Sequence, residues 1–137
     1  MKHKPVDEVS KRDIEALVEN EVPEDRQIDY KRELNLDNKG PKKKFLAEVS
    51  SFANASGGYL IFGVDEEEGV ASSIPTMGDI NVEPVKQQME NLMRDGLEPR
   101  LPGVRIRAID EFDEGPVLVM RIPQSWASPH MVTYRNW

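Results

Sequence analysis

The run EVSSFANASGGYLIFGVD, residues 48–65, decides the fold. Val49, Phe52 and Ala53, with Phe45 and Leu46 just upstream, make an apolar stripe at helical spacing, and Pro41 suits a first helical turn. A helix is therefore expected from about Pro41 to Asn54. Ser56, Gly57 and Gly58 break it, and paired glycines permit a positive φ or a close backbone approach. Residues 59–64 (YLIFGV) are then almost continuously apolar, as in a strand buried on both faces. This is expected to be the central strand.

Working outward, Ile14, Leu17 and Val18 fall at helical spacing within residues 7–20, with Asp7 or Ser10 as the cap and Pro23 as the stop. Residues 27–34 (QIDYKREL) alternate loosely, placing Ile28 and Tyr30 against charged neighbours, which predicts a strand with one wet face. Beyond the central run, the acidic residues 65–68 with Gly69 read as a tight turn, and the polar segment to Gly78 reads as loop. Val82, Val85, Met89, Leu92 and Met93 predict a third helix to about Arg94, stopped at Asp95-Gly96. Residues 104–109 and 117–122 flank a turn and predict a hairpin. Residues 132–134 are read as the start of a further strand. The order gives an α+β single domain: a mixed, mostly antiparallel sheet with about three helices packed on it. No second hydrophobic core is expected.

At 137 residues the chain suits one domain. With 38% hydrophobic and 31% charged residues it reads as an ordinary globular protein. No apolar run approaches the roughly 18 residues of a membrane span, and the first ten residues lack the apolar stretch of a secretory signal. Cytoplasmic location without membrane association is the expectation. The absence of cysteine excludes disulfides, thiolate zinc sites and a cysteine nucleophile. His3, in an N-terminal stretch read as disordered, and His130 make neither a zinc pair nor a triad. Trp126, Tyr134 and Trp137 are candidates for stacking on bases or for covering core or a partner. A net charge of −7 argues against binding nucleic acid through overall charge, so a local basic patch is needed. Lys39, Lys42, Lys43 and Lys44 supply one, with no acid in residues 38–47. Cations near a helix N-terminus are unfavourable, and a phosphate there would relieve the cost. The plain reading of such a run is solvated surface.

Three pieces, Asp29-Tyr30-Lys31-Arg32, the helix end Glu48-Val49-Ser50-Ser51-Phe52-Ala53-Asn54, and the strand from Gly57-Gly58 to Gly63-Val64-Asp65, together resemble the Schlafen AlbA-type domain. The resemblance runs through the hairpin and covers residues 21–129, with residues 1–20 as a preceding tail and helix. It implies that residues 21–137 form such a domain, excised from a longer protein, because family members continue into one more strand bearing an arginine. The family motif opens with Glu-Phe where this chain has Asp29 and Tyr30, a shorter acid beside a ring with a hydroxyl.

The resemblance implies a domain that handles nucleic acid, DNA or RNA, with Lys31, Arg32, Lys39, Lys42, Lys43 and Lys44 contacting phosphates. In the family's nuclease branch an acidic trio holds a divalent metal, and the matching positions are Glu24, Asp29 and Asp65, with Asp25 as the alternative to Glu24. Mg²⁺ or Mn²⁺ prefers hard oxygen ligands, and clustered carboxylates can set it against a phosphodiester. That reading makes the chain a metal-dependent endoribonuclease on structured RNA such as tRNA. The competing reading has Asp65 opening a turn and Glu24 lying in a loop as plain surface. Asp29 and Lys31 share a strand face, where the pair serves either a phosphate or only itself. A third reading is a homo-oligomeric interaction domain, with a homodimer as the partner arrangement. No G-x-x-x-x-G-K-[ST] loop occurs, so ATP hydrolysis of that type is not expected.

Overall fold

The computed structural model describes residues 1, 3–127 and 129–133. A four-stranded sheet has the order β1-β2-β7-β6: β1 (Ile28–Lys31), β2 (Gly58–Phe62), β7 (Val117–Ile122) and β6 (Arg105–Ile109). β1 runs parallel to β2 and the remaining pairs are antiparallel. The parallel step needs a long crossover, which α2 (Lys39–Asn54) supplies. The fold is α+β, with a mixed and mostly antiparallel sheet and three α-helices among the described residues.

Period-two alternation divides the strands between two apolar layers. Leu60, Phe62, Leu118, Met120 and Ile122 face α2 and α3 (Val82–Gly96), where Phe45, Leu46, Val49, Met89 and Leu92 cover them. Tyr59, Ile61, Val117 and Val119 face the opposite way, toward Ile14 and Leu17 of α1 (Lys11–Glu19) and toward Val6, Val9 and Ala71. The single core expected from the order of elements is thus two layers, because every residue of β2 is buried. The N-terminal stretch is also no loose tail: Val6 and Val9 are buried beside a short 3-10 turn, and Ser10 opens α1 in a reciprocal capping box with Asp13.

Residues 65–73, expected as turn and loop, form a hairpin of β3 (Asp65–Glu67) and β4 (Val70–Ser73). The connection before β1 pairs with it: Pro23 bridges Val70, and the Glu24 N–H donates to the Gly69 carbonyl at 2.7 Å. β1 spans four residues, so Leu34 lies beyond it. The two-residue strands β5 (Leu97–Glu98) and β8 (Met131–Val132) pair with each other, and Tyr134 and Trp137 lie outside the described residues.

Two motif positions have structural explanations. A Cβ on Gly57, whose φ is +73°, would stand 2.6 Å from the Gln124 nitrogen and the Ile122 carbonyl oxygen. Asn54 at the end of α2 accepts from the His130 N–H at 2.8 Å and donates to the His130 carbonyl at 3.0 Å. The Phe-Ala-Asn turn is therefore a clamp between α2 and the C-terminal segment. His130 is buried, its ring nitrogens against the Pro99 carbonyl and the Ser125 hydroxyl. Among the described residues no helix is long and apolar enough to cross a membrane.

Candidate nucleic-acid interface

β1 is an edge strand, and its alternation turns Ile28 and Tyr30 into the α1-side layer while Asp29 and Lys31 emerge beneath α2. Glu48 comes down to meet them. It is the one acid in α2, three residues after Phe45 and four before Phe52, and so lies beside the helix's packed stripe. The Lys31 ammonium stands 3.1 Å from Asp29 Oδ2 and 2.8 Å from Glu48 Oε2. Glu48 Oε2 is buried and receives no well-directed hydrogen bond, so the Lys31 charge is its compensation. Glu24 joins from the segment before β1, its Oε2 accepting from the Tyr30 N–H at 2.9 Å.

Asp29 lies in hydrogen-bond reach of both Glu24 and Glu48. Burial, then the hydrogen bond to Asp29, pushes Glu24 up to about 7, with the charges of Asp29 and Glu66 adding and the Tyr30 N–H opposing. Glu48 is raised by burial and by its hydrogen bond to Asp29, against the pull of Lys31. Burial would also raise Asp29, but hydrogen bonds from Glu24 and Glu48 and the Lys31 charge outweigh it and hold the carboxyl below its usual value. Burial works against the Lys31 charge, yet Glu48 and Asp29 raise its pKa. Asp29 is thus held below its usual value and is flanked by two carboxyls held above theirs.

Asp65 stands beyond the end of β2, where its Oδ2 accepts from Arg32 at 2.7 Å and its Oδ1 from the Glu66 N–H at 3.0 Å. Of the expected trio, Glu24 and Asp29 are brought together, and the third carboxyl beside them is Glu48. Asp25 accepts from the Gln27 N–H at 2.8 Å as part of a turn. Among the described residues no three carboxylate or imidazole groups are arranged to hold a metal ion. The Lys31 ammonium provides the positive charge within the acid cluster. Glu48 sits within a strong helical pattern, and a lone acid beside an inward stripe is the signal the sequence carries for it.

The basic residues separate into two environments. Lys31 is largely spent on its acids, with a side chain 28% exposed, whereas Arg32 is exposed and pairs with Asp65. Lys39, Lys43 and Lys44 are exposed and Lys42 half-buried at the start of α2. That helix has no acid in its first turn, and its N-cap Asn38 makes no side-chain cap. The positive end of the helix dipole and several ammoniums therefore share one end of one helix. Trp126 is 92% exposed on the C-terminal segment.

The model of the family described as "Schlafen, AlbA_2" matches residues 24–136. Among solved structures, the chain is similar to the N-terminal domain of a RecG-related protein from Nitrosomonas europaea, whose name carries the words ATP-dependent DNA helicase. The TM-score is 0.63 at 20% identity, over 90% of this chain and 80% of that one. It is also similar to the DIP2311 protein from Corynebacterium diphtheriae, with TM-score 0.52 and 17% identity over 79% of this chain; the match spans 22% of that larger chain. At these identities the likeness is one of fold. No curated protein matches by sequence.

Proposed function

Because this chain belongs to the Schlafen AlbA_2 family, we propose that it is a nucleic-acid-binding domain whose phosphate contacts are made by Lys39, Lys42, Lys43 and Lys44 at the start of α2, with Arg32 as a neighbour on the sheet edge. The observation that carries this is the helix start itself. In a chain of net charge −7, four lysines gather where a helix already presents its positive end, and no acid stands in the first turn. That arrangement raises the local potential at some cost to the helix, and a polyanion offsets the cost. The RecG-related neighbour, with a DNA helicase in its name, supports the same direction. Lys31 serves chiefly as the counter-charge of Asp29 and Glu48 and contributes less to phosphate contact than the sequence pattern implied. The test is fluorescence anisotropy with labelled single- and double-stranded DNA and RNA at low salt. The expected result is binding that Lys42→Ala, Lys43→Ala and Lys44→Ala together weaken at least ten-fold. Absence of binding, or affinity unchanged in the triple variant, contradicts the proposal.

A second reading, cleavage of structured RNA, draws on the convergence of Glu24, Asp29 and Glu48 around Lys31. No catalytic step is assigned to it. Incubation with tRNA and Mn²⁺ separates the readings: the binding domain leaves the RNA intact, while cleavage lost in Asp29→Ala establishes the nuclease.

A further inference from the structure

Resting on the nucleic-acid reading above, we propose that the cavity between β1 and the start of α2 receives the base of one unstacked nucleotide, with Lys44 taking its phosphate. The cavity measures about 330 Å³ and opens beside the lysine-rich turn. Apolar side chains dominate its lining, namely Leu34, Phe45, Leu60 and Phe62, and the rings of Phe45 and Phe62 lie 6.5 Å apart between centroids at a 43° tilt. Its polar lining is Lys44, Glu33, Asn35 and the Lys31–Glu48 ion pair.

The occupant must satisfy both halves of that lining. A free phosphate would leave the apolar surface unfilled, and an aliphatic side chain would leave the polar part of the lining unmatched. A nucleotide base has apolar faces for the phenylalanine side, a hydrogen-bonding edge for Lys31 and Glu48, and a phosphate attached a few bonds away. Specific ligand pockets run from about 300 to 1,000 Å³, and a volume at the low end suits one ring system rather than a large ligand. A base stacked in a duplex cannot enter without being extruded, so the cavity selects single strands, loops or flipped nucleotides.

The experiment compares three fluorescent probes on the unaltered protein at low salt: a single-stranded oligonucleotide, the same strand with abasic sites, and a duplex. The base-bearing strand is expected to bind about ten-fold more tightly than the abasic strand. Leu34→Trp, which fills the cavity, is expected to remove that difference, with circular dichroism confirming its fold. Equal affinity for base-bearing and abasic strands overturns the cavity proposal and leaves phosphate binding standing. A base preference that persists in folded Leu34→Trp also overturns it. Binding to none of the three probes overturns the nucleic-acid reading and this inference with it.

Discussion

Lys31 is the residue on which the acid cluster depends. One ammonium stands against Asp29 and Glu48, and among the described residues the buried Glu48 Oε2 has no well-directed hydrogen bond. Lys31→Met keeps the aliphatic stem and removes the charge. It is expected to cost about 1–3 kcal/mol in urea denaturation at pH 7, below the value for a fully buried pair because the cluster is partly solvated. The loss should shrink in acid, as the carboxyls that Lys31 offsets become protonated. Glu24 carries a second prediction. Its carboxyl is raised from 4.5 to about 7, so the folded state binds its proton more tightly than the unfolded chain. The resulting stabilisation is full below 4.5 and is lost as pH rises toward about 7. The depressed Asp29 has the opposite sign, and its contribution is lost at lower pH, as the solution falls through its folded value. Denaturation midpoints across pH 4–8 for the unaltered protein and Glu24→Gln check the assignment. The variant should lose the part of the slope between 4.5 and 7, and an unchanged slope would place the titration elsewhere.

At the scale of elements, α2 is anchored at its end and electrostatically unfavourable at its start. Asn54→Ala removes both hydrogen bonds to the His130 backbone and is expected to cost about 1–2 kcal/mol. Hydrogen exchange should rise across residues 125–127 and 130–133 with α3 unaffected; uniform exchange across the domain would show that the clamp is not local. The elements legible in the sequence were those with their own periodicity: α1, α2, β2, α3 and the β6–β7 hairpin. The β3–β4 hairpin was not, because Asp65-Glu66-Glu67 and Ala71-Ser72-Ser73 have little strand propensity and are held by pairing with each other and with residues 22–24. Tertiary contact supplied what local chemistry did not. The short β1 has the same origin, since its limits are set by β2 alongside it.

For the whole molecule, the sheet buried on both faces leaves its edge strand β1 and the adjoining start of α2 as the place where polar chemistry gathers. Part of that site was legible: period-two alternation put Asp29 and Lys31 on one face, and the lysine run stood out in an acidic chain. The rest was not, because joining Glu48 to Asp29, and Asp65 to Arg32, depends on how α2 and β3 lie against the sheet. Those partners are far apart in sequence and carry no shared spacing. The central claim, that the start of α2 is the phosphate-binding element, makes a quantitative demand on salt. Each phosphate contact contributes roughly 0.7–0.9 to the slope of log affinity against log salt concentration. Measured by anisotropy from low to physiological salt, the Lys42→Ala, Lys43→Ala, Lys44→Ala protein should show a slope smaller by about 2–3 than the unaltered domain. Identical slopes for the two proteins would contradict the account.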